Sequence, residues 1–247
     1  MAVVLAGTGL ASAEPQPAQL IIWGGGKNPA EAEAALARWR EHAKANEWDG
    51  LLTVAKGYPR IVPIDSGPGL TPSFVVVLGA CEPSAAPKVL ETIKAFEASA
   101  YARDVTWAHP LACPQLGPTW RVLKSKSWKK AEGTLTAVVL ERLEKEDRPD
   151  SSFEQSVRVT LRAPDGRHLG SDERSGHPTG ALFTGETGFR ASLDATGPTV
   201  TSLIYESGCG TQPDIIERRV KYSVENGKLA PQVSTVFLEN RSADCEP

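Results

Sequence analysis

An internal repeat constrains this chain more than any other feature. Residues 20–36 read LIIWGGGKNPAEAEAAL and residues 75–93 read VVVLGACEPSAAPKVLETI. Each copy opens with an apolar β-like run, reaches a glycine (Gly24; Gly79), makes a short loop and enters a helix. Asn28 as N-cap, Pro29 at the first helical position and Glu31 closing a capping box announce the first helix. Ala32, Ala35, Leu36, Trp39 and Ala43 then recur at helical spacing, which leaves His42 on the polar, solvated side. In the second copy the helix starts at Ser84, with Pro87 in its first turn, and Val89, Ile93, Phe96 and Ala100 keep the same period. A β-like run returns after each helix, at 57–64 (GYPRIVPI) and 104–107 (DVTW). Residues 48–54 add a short strand or lengthen the loop before the first of these runs. The stretch 65–72 (DSGPGLTP) is turn chemistry joining the halves.

Three glycines and a lysine ahead of a helix sketch a phosphate-binding loop, but the details contradict one. A P-loop needs a glycine where Ile21 stands, and Ser or Thr where Asn28 stands. The dinucleotide pattern ends here in Pro29. In the second copy Glu82 takes the place of Lys27, putting a negative charge where a phosphate needs a positive one.

Beyond residue 110 the helical period stops. Pro110, Pro114 and Pro118 mark 111–120 as a linker. Short β-like runs follow at 134–143, 156–162, 189–193, 199–206, 215–224 and 232–238, separated by turn residues. Asn226-Gly227 between two such runs is the strongest hairpin signal in the chain. Residues 163–188 are polar and glycine-rich and read as a long excursion. The spacing predicts an all-β antiparallel sandwich or barrel over 121–247. The fold class is therefore α+β, with a duplicated βαβ-βαβ unit over 18–110 and the all-β domain after it.

Met1–Ala13 is apolar, small-residued and ends in Ala11-Ser12-Ala13, which reads as a signal-peptide remnant over 1–13 and places the protein in the periplasm or outside the cell. No run is long enough to span a bilayer. Cys81, Cys113, Cys209 and Cys245 form an even set, which in an exported chain favours disulfides. Of three connectivities, Cys81–Cys113 with Cys209–Cys245 keeps each bond inside one domain. The 247-residue chain has a net charge of -3, so no basic patch calls for nucleic acid.

The repeat, with its strand–Gly–loop–helix halves and its Gly57-Tyr58-Pro59 strand entry, resembles the SPOR domain over 18–110. The matching positions are Ile22-Trp23-Gly24, the helix start at residues 28–36, Gly57-Tyr58-Pro59 and Val77-Leu78-Gly79 with its helix. The resemblance implies a ferredoxin-like fold that binds peptidoglycan glycan strands on its sheet. The sequence departs from the family's pattern in Ile21-Ile22-Trp23, which replaces a glutamine-containing first strand, and in an insertion at 46–56. Trp23 and Tyr58, each on or at the end of a strand, are the candidate aromatic platforms; Trp23 equally fits a core position.

Catalytic signals are thin. His168, Asp172, Glu173 and His177 cluster in sequence, but without the helical or H-x-x-x-H spacing that holds a metal. No G-x-S-x-G elbow occurs. Glu141 and Glu144 read as a charged strand end, and Cys81 has no base nearby. The chain thus reads as a non-enzymatic binding protein without a cofactor or resident metal. Its partner is a peptidoglycan glycan or an envelope protein. The rival readings are an envelope protein-interaction module and a metal-dependent hydrolase using the His168–His177 segment.

Overall fold

A computed structural model describes residues 14–46, 48, 51–64, 73–142, 154–176, 185–206 and 214–239. The expected leader at 1–13, His177, Glu144 and the Cys209–Cys245 pair fall outside them.

The described residues are predominantly antiparallel β, with two helices among them. Strand β1 (Gln16–Gly26), helix α1 (Pro29–Ala45) and strand β3 (Arg60–Ile64) are followed by strand β4 (Ser73–Cys81), helix α2 (Ala86–Phe96) and strand β5 (Tyr101–Trp107). The four strands form sheet 1 in the order β3-β4-β1-β5, with every neighbouring pair antiparallel. Helix α1 starts as its sequence dictates: the Glu31 amide donates to Asn28 Oδ1 at 2.9 Å, and the Glu31 carboxylate accepts from the Lys27 amide at 2.8 Å. Helix α2 begins two residues later than its sequence signal at Ser84, after Ala85, which makes no side-chain cap.

Sheet 2 has the order β10-β9-β8-β7: β7 (Trp120–Lys130), β8 (Gly133–Arg142), β9 (Gln155–Arg162) and β10 (His168–Gly176). Sheet 3 is β11-β12-β13-β14: β11 (Gly185–Leu193), β12 (Pro198–Glu206), β13 (Asp214–Glu225) and β14 (Lys228–Glu239). These two sheets pack as a sandwich. Val157, Val159 and Leu161 of β9 and Leu135, Ala137 and Val139 of β8 meet Phe189, Val200, Val220 and Tyr222 of sheet 3. Asn226 and Gly227 turn the β13–β14 hairpin with φ of 51° and 71°, the left-handed pair that this dipeptide adopts readily.

Two expectations are corrected here. Strand β10 occupies part of the polar excursion expected over 163–188, and β7 forms a strand where the charged sequence after the expected linker carries no strand pattern. Both are edge strands, and their charged alternation protects an edge rather than lining a core. Lys124, Lys126 and Lys130 of β7 donate to the carbonyls of Ala191, Leu193, Asp194 and Thr196 along or just beyond β11. The linker stretch is itself fastened. Cys113 is bonded to Cys81, Ala112 pairs with Ala80, and β6 (Gln115–Leu116) pairs with β2 (Leu52–Thr53).

The helices lie between sheets 1 and 2. Their core joins Ile21, Trp23, Val76 and Leu78 of sheet 1 to Val138 and Leu140 of β8, with Trp120 and Val122 of β7 packed alongside. The inserted Trp48, Leu51 and Leu52 are buried in the same cluster. Sheet 2 therefore covers the side of α1 that looks polar in sequence. His42, expected on the solvated side, is only 2% exposed, with its ring against Trp23, Trp48 and Phe96. No described helix is long and apolar enough to cross a membrane.

Candidate functional site

The three glycines that raised the phosphate question belong to β1, not to a loop. Gly25 is required by the neighbouring strand, since a Cβ there would stand 2.2 Å from the Phe74 carbonyl oxygen. A Cβ at Gly26 would collide with the Glu31 side chain at 2.1 Å. The start of α1 is occupied by that same carboxylate, which opposes an anion there.

The two sequence-nominated aromatics lie on different elements: Trp23 is in β1, while Tyr58 precedes β3, which begins at Arg60 rather than at residue 57. Trp23 faces the helices along with Ile21, whereas Tyr58 packs on the other face of sheet 1 with Leu20, Ile22, Val77 and Trp107. They do not form one platform. On the Tyr58 face the Arg60 guanidinium sits 4.8 Å from the Tyr58 ring centre and 5.3 Å from that of Trp107. Burial raises the Tyr58 hydroxyl pKa, against the lowering effect of Arg60. Leu20, Ile22 and Val77 are buried on this face, so little of its apolar floor is open.

Trp23, 5% exposed, forms instead the inner wall of a cleft of about 350 Å³. The cleft lies where the repeat meets the sandwich. Trp23, Gly24 and Gly25 come from β1, Arg38 from α1, Glu97 and Ser99 from the end of α2, and Arg162 to Gly166 from the β9–β10 turn. Arg162 pairs with Glu97 and donates to the Phe96 carbonyl at 3.3 Å. Ser99 donates to Glu97 from its hydroxyl at 2.7 Å and its amide at 3.1 Å. Burial alone would raise the Glu97 pKa, but Arg162 and the Ser99 hydrogen bonds outweigh it and hold the carboxyl below its usual range. Glu97 is thus a fixed, ionised acceptor. Arg38 lies against the turn at Gly166, where a Cβ would come within 3.2 Å of its Cδ, and makes no ion pair among the described residues. The Nε of Arg162 is a buried donor with no partner. Acceptor, donors, hydroxyl and indole therefore converge on one concavity.

Behind Trp23 lies a buried histidine. The His42 ring centre is 5.2 Å from that of Trp23, 5.9 Å from Trp48 and 6.3 Å from Phe96. Burial first, then the positive charge of Arg162, lowers its pKa to about 3, so the ring is neutral in ordinary buffers. The Asn46 amide nitrogen sits 3.4 Å from Nε2 and 3.0 Å from the His42 carbonyl. Arg158 of β9 donates to the Asn46 carbonyl, tying the helix end to sheet 2.

The suggested metal segment is committed elsewhere. Asp172 accepts from the Tyr222 hydroxyl at 2.8 Å, while Glu173, its neighbour on β10, accepts from Ser156 and from Arg158 Nε at 3.1 Å. Successive strand residues point to opposite faces, so the two carboxylates do not converge. No group of three potential metal ligands occurs among the described residues. Glu141 pairs with Arg121, which agrees with the strand-end reading.

Sequence reasoning missed Arg38, Glu97, Arg158 and Arg162. The only signal was the alternation of 156–162 (SVRVTLR), which places both arginines on one strand face. That signal gains meaning only once the face is known to abut helices. Comparison with family models, curated proteins and solved structures finds no match for this chain.

Proposed function

We propose that the protein is a secreted or periplasmic, non-enzymatic binding protein that takes a hydroxyl-rich segment of cell-wall glycan in the Trp23 cleft. The observation that carries this reading is the convergence there of the ionised Glu97, the guanidinium groups of Arg38 and Arg162, and the Ser99 hydroxyl. Hydroxyl and acetamido groups need acceptors and donors of this kind in fixed positions. The Glu97–Arg162 pair and the Ser99 bonds hold them before any ligand arrives.

The N-terminal half supports a ferredoxin-like, SPOR-like reading through its β-α-β-β-α-β order and the sheet order β3-β4-β1-β5. The Cys81–Cys113 bond favours an oxidising compartment. The reading places the ligand in the cleft rather than on the sheet, because Leu20, Ile22 and Val77 on the opposite face are buried. Co-sedimentation with peptidoglycan sacculi tests it, using intact walls and walls stripped of stem peptides. Stronger pelleting with stripped walls, lost in Arg38→Ala and retained in Tyr58→Ala, is the expected result. Failure of the wild-type protein to pellet with either wall overturns the reading.

A further inference from the structure

A second concavity, of about 680 Å³, lies on the other side of α2. One wall is a stripe of that helix: Lys88, Glu91, Thr92 and Ala95 stand at i, i+3, i+4 and i+7. The opposite stripe, with Ala86, Val89, Ile93 and Phe96, is buried in the core and fixes the helix in place. The second wall is β7 from Trp120 to Ser125. Among the described residues β7 pairs only with β8, so its outer backbone edge faces the groove. The register of that pairing shifts between Val122 and Lys124, which leaves Leu123 as an extra residue, 42% exposed and lining the groove. Leu51, Leu116 and Gly117 contribute a largely apolar end wall.

We propose that this groove docks an extended acidic peptide, which adds to β7 as a fifth strand of sheet 2. An open strand edge offers backbone donors and acceptors in the spacing that only another extended backbone matches. The helix stripe beside it supplies contacts for alternate side chains. Length is set by the fold. The Lys124 and Lys126 side chains reach across to the carbonyls of Ala191, Leu193 and Asp194, which crowds the edge beyond the groove. The free stretch from Trp120 to Ser125 suits about six residues. Charge sets the sign. Arg121 is neutralised by Glu141, which leaves Lys88 and Lys124 against Glu91 in the groove. Lys126, Lys129 and Lys130 extend the positive field along the same strand, which carries no acidic residue.

The test is amide shift mapping on the full isotopically labelled protein. The probe is an equimolar pool of blocked hexapeptides in which Glu alternates with Val, Ile, Leu or Phe. A matched pool carries Lys in place of Glu. The expected result is shifts confined to residues 88–95 and 120–125, with the acidic pool binding at least about tenfold tighter than the basic one at low salt. Lys88→Glu, at an exposed helix position that leaves the core intact, weakens binding about fivefold. Methylating alternate peptide nitrogens abolishes it, because strand addition needs those donors. No shifts at about millimolar pool overturn the proposal. So do equal affinities for the two pools, or indifference to N-methylation. Shifts that appear with protein concentration alone also overturn it, by assigning the edge to a second copy of the chain.

Discussion

His42 offers a sharp test of how the two halves fit together. Its ring is caged by Trp23, Trp48 and Phe96, and Arg162 and His168 of sheet 2 lie close enough to act on its charge. In the folded protein its pKa is about 3, whereas the unfolded chain titrates near the ordinary value of 6.5. Between these values the unfolded state binds a proton that the folded state refuses. The contribution of neutral His42 is therefore fully present above pH 6.5 and is lost progressively as pH falls toward 3. From pH 7.5 to pH 5 the loss integrates to about 2 kcal/mol. Stopping at pH 5 keeps Glu97, whose pKa is lowered, ionised throughout. Arg162, Glu97 and His168 are the charged or titratable groups that act on the ring, and none of them is altered by replacing it. Urea unfolding of the wild type and of His42→Leu at pH 7.5, 6 and 5 provides the comparison. The wild type should lose about 2 kcal/mol more than the variant over this range. An equal pH slope in both proteins would refute the buried, neutral ring.

Other perturbations probe other joints. Arg158, whose side chain is 8% exposed, bonds the Asn46 carbonyl and Glu173; Arg158→Ala should cost about 3 kcal/mol by strip-and-melt comparison in urea, and a cost within surface-mutation scatter would contradict the link. Replacing Cys81 and Cys113 by alanine opens a bond spanning 32 residues, which should lower stability by about 3–4 kcal/mol; an unchanged denaturation midpoint would contradict this. Val233, Val236, Phe237 and Leu238 of β14 are each more than half exposed on an open edge, so Val236→Lys should raise the concentration at which light scattering detects association, with little change in midpoint.

The parts of the fold legible in sequence are those set by local rules. Asn28, Pro29 and Glu31 specify the start of α1 wherever they occur, and Asn226-Gly227 specifies a hairpin. The apolar strands β8, β9, β12 and β13 announce themselves because both or alternate faces are buried. β7 and β10 hide their strand character behind charge, since an edge strand gains from lysine and aspartate what a central strand gains from valine. The cleft was illegible for a different reason. Arg38 and Glu97 are nearly 60 residues apart on separate elements, and Arg162 comes from the other half. Only the docking of sheet 2 on the helices brings them together. Trp23 and Tyr58 both look like strand-end aromatics, but Trp23 lies on β1 against the helices, whereas Tyr58 precedes β3 and packs on the other face of sheet 1.

Calorimetric titration of a soluble peptidoglycan glycan fragment lacking stem peptides, into the wild type and into Arg38→Ala, tests the central claim most directly. The account predicts saturable binding by the wild type, at least about tenfold weaker in the variant, with Tyr58→Ala unaffected. Binding that survives Arg38→Ala and disappears in Tyr58→Ala would move the site to the opposite face of sheet 1 and contradict the assignment to the Trp23 cleft.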